Sequence, residues 1–191
     1  VRLVGSEMCI RDRFIYLMEW RASMKKLRFY TIMGIMFVII FGIISHFIYE
    51  WTGSHFIAGL FFPTNESTWE HMKLAFFPML AYSLFMDYKL KEEYPCVTSS
   101  LCIGVILSTV LIPIIFYTYT GILGYSISVL NIGYFIISIV VAFIVVYRLT
   151  ESCKAQKFEW ALKMSVLLLM LLFFVFTGFQ PNIALFMDPT V

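Results

Sequence analysis

Charge is what this sequence has least of. Only 14% of its 191 residues are charged, against about 25% in an ordinary soluble domain. None of them falls between Tyr94 and Tyr147. A spanning helix needs about 20 apolar residues, so that run alone holds two spans. The 14 Lys and Arg outnumber the 12 Asp and Glu by only two and gather on no basic face, which excludes a nucleic-acid partner. Cysteine motifs are missing too. Cys9, Cys96, Cys102 and Cys153 show neither CxxC spacing nor a neighbouring His, so free thiols are expected rather than a zinc site or a disulfide framework. No A-x-A type cleavage site follows the first apolar run, Phe29 to Tyr49, which is long enough to cross a bilayer uncleaved.

What is present is apolar length, with 61% of residues hydrophobic. The runs are continuous, whereas barrel strands alternate over about 10 residues, so the fold expected is all-α. It is a polytopic membrane helix bundle of five transmembrane helices at about 27–51, 68–88, 96–120, 125–147 and 158–179. Lys and Arg set the orientation. Arg21, Lys25, Lys26, Arg28, Lys89, Lys91, Arg148, Lys154, Lys157 and Lys163 fall on one side, and Lys73 on the other. The N-terminus is therefore predicted inside and the C-terminus outside, in a multi-pass protein of the cell membrane. The loop 52–67, a turn at 121–124 and the tail from Gln180 should face out. Trp51, Trp69 and Trp160 sit at expected boundaries, as an aromatic belt requires. Pro78 and Pro113 lie inside spans and are expected to bend them. An odd count of spans does not divide into the paired halves of many transporters.

Residues 1–13, VRLVGSEMCIRDR, have no helical or strand period. They resemble a translated sequencing-adaptor peptide and are set aside from fold reasoning. The domain reading takes 1–24 as this artefact plus a disordered or cytoplasmic N-terminus, and 25–191 as one transmembrane helical domain.

The stretch PTNESTWEHMKLAFFP (63–78) is the anomaly. Ser67 followed by Glu70 reads as a capping box, in which the Ser oxygen takes one free helix N–H and the Glu carboxylate returns to another. Trp69 reads as an interfacial anchor, with Lys73 over its ring or snorkelling outward. Length argues that this account is incomplete. From Leu74 to Met86 the second span has 13 uncharged residues, about 20 Å of helix against a hydrocarbon core of about 30 Å. Glu70, His71 and Lys73 should then sit below the outer surface, facing protein or water rather than lipid. His46 and Glu50 share a face at the outer end of the first span. His55, Glu66, Gln180, Asn182 and Asp188 fall in the same leaflet, and HFIAGLFFP (55–63) is expected to dip in or lie flat as a lid. Convergent polar groups in an apolar wall describe a ligand pocket. Its candidate ligand-binding residues are Glu70, His71, Lys73, Asn65, Glu66, His46 and Glu50. No metal set is assigned, because Glu70 and His71 stand roughly 100° apart around the helix and HExxH is absent. Asn131 is read as a hydrogen bond between helices.

Asn65-Glu66-Ser67-x-Trp69-Glu70-His71-x-Lys73, with Phe77-Pro78 after it and HFIYEW (46–51) before it, resembles the hallmark of a family of small bacterial integral membrane proteins catalogued as a domain of unknown function. The closing stretch, from Phe176-Thr177 through Pro181 to Asp188-Pro189, is similar to the same family's C-terminal pattern. Thr64 departs from it where an apolar residue is expected, and Gln180 where a second proline is expected. The family pattern continues past Asp-Pro. The resemblance implies a membrane location and shared polar residues, and no reaction.

Three functions compete on this reading. The first is binding or transport of a small ion or polar solute, in which five helices imply a homo-oligomer and a carboxylate plus imidazole could move protons. The second is a membrane-embedded metal or acid–base enzyme. The third is an accessory or scaffolding subunit with no ligand. No cofactor is identified, and the lipid bilayer is the expected surrounding partner.

Overall fold

The computed structural model describes residues 4–187, with side chains from residue 24 onward. The side chains of the N-terminal peptide, Cys9 included, and all of Asp188 lie outside the described residues. Within them the chain forms α1 (Val4–Trp51), α2 (Phe56–Phe61), α3 (Thr68–Leu90), α4 (Val97–Leu123), α5 (Ser128–Ser152) and α6 (Glu159–Gly178). Two 3-10 turns, Gln156–Phe158 and Ala184–Phe186, complete it, and no strand occurs among the described residues.

Four helical stretches are long and apolar enough to cross a membrane: Met24–Trp51, Val97–Leu123, Ser128–Ser152 and Gln156–Gly178. They coincide with the first, third, fourth and fifth expected spans. α3 has 23 residues, about 35 Å of helix at 1.5 Å per residue, but its charged residues interrupt the apolar stretch. Its surroundings account for the difference. Fourteen of its residues are buried, with α1 and α4 packed along it and α6 reaching it through Phe173, whose ring lies 5.0 Å from Phe76. A helix enclosed by protein needs no continuous apolar coat. α6 does, because only 11% of its apolar window is buried in the bundle.

α1 shows how the sequence positions the rest. Leu27, Thr31, Gly34, Val38, Gly42 and Ser45 are buried, a three-four spacing that draws one stripe along the helix. Phe29, Ile32, Met36, Ile40 and Phe47 remain exposed on the other sides, an arrangement that suits a helix with lipid at its back. At Gly42 an added Cβ would collide with the Phe135 ring and stand 2.9 Å from the Leu74 carbonyl oxygen. Glycine there lets α1 touch α3 and α5 together, one turn before His46. In α4 and α5 the buried hydroxyls of Ser108, Thr109, Ser138 and Thr150 donate to carbonyls three or four residues back in their own helices. These four hydroxyls are thus satisfied within their own helices.

Several expectations are corrected. The turn placed at 121–124 begins only at Gly124, whose φ of 81° ends α4 in the left-handed conformation. Trp69 is not an exposed anchor: it is buried against Phe173, Phe176 and Phe186, at ring distances of 4.8, 5.5 and 4.9 Å. Trp51 and Trp160 are exposed. Cys96 and Cys153 are not free thiols but a disulfide, with Cα atoms 5.2 Å apart. α4 and α5 run antiparallel from the tight connection at Gly124, which brings the start of one beside the end of the other. Cys96 caps the first and Cys153 the second. No local spacing reveals a pair 57 residues apart. Cys102 is the free cysteine among the described residues.

A bridge closing so long a loop stabilises by about 2–4 kcal/mol. Cys153→Ser should therefore lower the denaturation midpoint in detergent under oxidising conditions. Reductant should bring the wild type down to the variant and leave the variant unmoved.

Candidate ligand site at the head of α3

The chain enters α3 through a tightly bonded turn. Ser67 is extended (φ −65°, ψ 151°), and its hydroxyl accepts from the Glu70 N–H at 3.4 Å. Asn65 Oδ1 accepts from the Ser67 N–H at 3.0 Å, which closes an Asx turn. The capping box forms only in half. Glu70 does not return to the Ser67 N–H, which Asn65 already holds; its Oε2 reaches three residues further back to the Thr64 N–H at 2.9 Å and the Thr64 hydroxyl at 3.2 Å.

That reach aims Glu70 at Lys73, and both side chains are 0% exposed. Lys73 Nζ donates to Glu70 Oε2 at 2.7 Å, to the Gly59 carbonyl at 2.8 Å and to Thr177 Oγ1 at 2.7 Å. An ammonium has three N–H bonds, and each has an acceptor. Thr177 donates its own hydrogen to the Phe173 carbonyl at 2.7 Å. Lys73 therefore neither snorkels outward nor covers the Trp69 ring, because an acceptor set from α2, α3 and α6 lies inside. Glu70 Oε1 is buried without a hydrogen-bond partner among the described residues.

His71, one residue along and about 100° around the helix, enters a different neighbourhood. Its Nδ1 lies 3.0 Å from the Ser67 carbonyl. A carbonyl can only accept, so Nδ1 carries the hydrogen and Nε2 of the neutral ring presents a lone pair. Nε2 stands 3.4 Å from Glu66 Oε2, and His46 Nε2 stands 3.7 Å from Glu66 Oε1. The two imidazole rings are 5.4 Å apart. His46, Glu66 and His71 border a cavity of about 340 Å³ between α1, α3, α4 and α5. Ile43, Phe47, Leu74, Ile112, Ile132 and Phe135 give it apolar walls, and Ser128, Asn131 and Tyr134 also line it. Asn131 accepts a hydrogen bond from the Tyr119 hydroxyl, linking α5 to α4.

The seven candidate residues thus divide. Glu70 and Lys73 form one buried knot, and His46, Glu66 and His71 form a second, half-exposed group. Asn65 belongs to the turn and donates to Gln180 Oε1 at 3.2 Å. Glu50 is exposed and joins neither group, and His55 accepts from the Ile57 N–H at the start of α2. Sequence reasoning missed Thr64, the Gly59 carbonyl and Thr177. The first stood out only as a departure from a pattern, the second is backbone, and the third lies 104 residues from its partner.

These features define a helical protein with membrane-length apolar helices and a polar cluster at one end of the bundle. The chain belongs to a family of unknown function (DUF6512), whose model matches residues 18–191. No curated protein and no solved structure matches it.

Removing one member of a buried ion pair leaves the other uncompensated, at about 3–5 kcal/mol. Lys73→Met should therefore destabilise strongly in detergent denaturation. Glu70→Leu/Lys73→Met, which removes both charges, should recover much of that loss. A double variant as unstable as the sum of the two singles would contradict the pairing.

Proposed function

We propose that this chain is a multi-pass protein of the cell membrane in which α3 is a fifth crossing, the N-terminus lies inside and the C-terminus outside. On this reading the cavity beneath the outer rim binds a small ion or polar solute. One observation carries it: a hollow of about 340 Å³ with apolar walls, at which His46, Glu66 and His71 converge from two segments of the chain. Few convergent polar groups in an apolar cleft are the usual anatomy of a small-ligand site. The crossing of α3 is supported by its enclosure, because Glu70 and Lys73 are fully shielded by protein and meet no hydrocarbon.

The buried knot favours a different role for its own members. Glu70, Lys73, Thr64 and Thr177 are tied to one another rather than open to the cavity, so their part is to hold α2 and α6 on α3. That is the scaffolding role confined to one pair. Orientation rests on the Lys and Arg count. It sets the Cys96–Cys153 disulfide on the basic side, whereas disulfides persist on the oxidising side of a membrane. Charge and disulfide therefore pull in opposite directions.

Labelling decides the orientation. In a background with Cys9, Cys96, Cys102 and Cys153 all changed to Ser, a cysteine placed at Ser54 should react with an impermeant reagent in intact cells, and one at Lys89 only after permeabilisation. The reverse pattern overturns the orientation. Ile132→Trp fills the cavity without removing any polar lining group. It should abolish stabilisation by the ions or small polar solutes that raise the wild type's melting temperature. Identical profiles for the two proteins across the panel would defeat the binding role.

A further inference from the structure

We infer that His46, Glu66 and His71 together bind one divalent transition-metal ion of the zinc class, at the mouth of the cavity. The inference rests on the reading of that cavity as a ligand site and names the ion it holds.

Three observations point there. First, the ligand atoms of the three residues lie within 4.8 Å of one another. The His71–Glu66 and His46–Glu66 approaches are 3.4 and 3.7 Å. A tetrahedral ion with metal–ligand bonds of about 2.0–2.2 Å separates its ligands by about 3.3–3.6 Å, so the two Glu66 approaches stand close to that spacing, and a turn of the half-exposed His46 ring toward His71 completes the set. Second, the His71 ring is already held in the ligating tautomer. Its Nδ1 hydrogen points to the Ser67 carbonyl at 3.0 Å, and a ligating histidine commonly gives its other N–H to such an outer partner. Ser67 is fixed in turn as the N-cap of α3, so the outer support is backbone at a helix end. Third, the donors are two imidazole nitrogens and one carboxylate oxygen. That set suits zinc and its first-row neighbours, whereas calcium and magnesium prefer oxygen alone.

Three protein ligands leave a coordination position open, and all three residues line the cavity. Glu66 is the single ionised lining side chain when both histidines are neutral. A bound dication thus turns the local charge from −1 to +1, and an anionic or oxygen-donor solute becomes the class this hollow favours. The rival arrangement is a proton shared among the same groups as an imidazolium–carboxylate pair, which needs no metal.

The test is a cobalt titration of the full chain in detergent after chelator stripping. One Co²⁺ per chain is expected, with the visible bands of a four-coordinate nitrogen and oxygen site, displaced by Zn²⁺. His46→Ala, Glu66→Gln and His71→Gln should each weaken binding about 100-fold or more, beyond the 10–100-fold of an outer-shell change. None of the three replacements removes a partner of the Ser67–Glu70 cap or of the Asn65 Asx turn, which keeps the helix start intact. His55→Ala, at the start of α2 and outside the cavity lining, should bind as the wild type does. Absence of a stoichiometric Co²⁺ spectrum, or equal affinities for wild type and His71→Gln, overturns the metal site. Solute binding lost on filling the cavity would survive that result, so the two readings fail separately.

Discussion

Lys73 is the constraint around which the head of the bundle is built. An ammonium moved out of water carries a penalty of several kcal/mol even after relaxation, and it can stay buried only where every N–H finds an acceptor and the charge finds its opposite. The chain meets that demand from three directions at once: Glu70 in the same helix, the Gly59 carbonyl from α2 and Thr177 from α6. The last two acceptors are supplied by elements that would otherwise touch α3 only through apolar contact, which is non-directional. The ion pair therefore specifies where α2 and α6 dock, while the aromatic packing of Trp69 against Phe173, Phe176 and Phe186 supplies the burial. Together they also hold the C-terminal 3-10 turn down on the helix start.

That knot occupies one side of α3, and another side faces the cavity. Residues 70 and 71 are adjacent, but the helical turn sends them into different surroundings: one into a closed core, the other toward a cavity edge. Glu66 and Ser67, just before the helix, serve the second side through a carboxylate and a carbonyl. A single entry turn therefore feeds two surroundings, a closed one that shuts water out of the Glu70–Lys73 pair and a half-open one around His46, Glu66 and His71.

Much of the helix order was legible, because long uncharged runs such as Tyr94 to Tyr147 can scarcely be anything but spans. The polar head of α3 was legible as an anomaly of length: too few apolar residues follow Lys73 for a helix expected to cross. Which polar groups meet was not legible. Glu70 and His71 read as a pair because they are neighbours in sequence, yet the helix separates them. The partner of Lys73 in α6 and the partner of Cys96 at the end of α5 are set by packing over long sequence separations, which no local period records. Trp69 shows the opposite error. Indole at a span boundary suits an interface, but aromatic side chains from the last helix and the tail cover it.

The Cys96–Cys153 bond has a mechanical consequence. α4 and α5 are joined by a short connection at one end and by sulfur at the other, so the two helices form a covalently closed frame that resists splaying. The cavity wall drawn from that frame is consequently its fixed side. The opposite jamb is α1, which carries no such cross-link: it leans on the frame through the bare backbone of Gly42 and bears His46 one turn beyond.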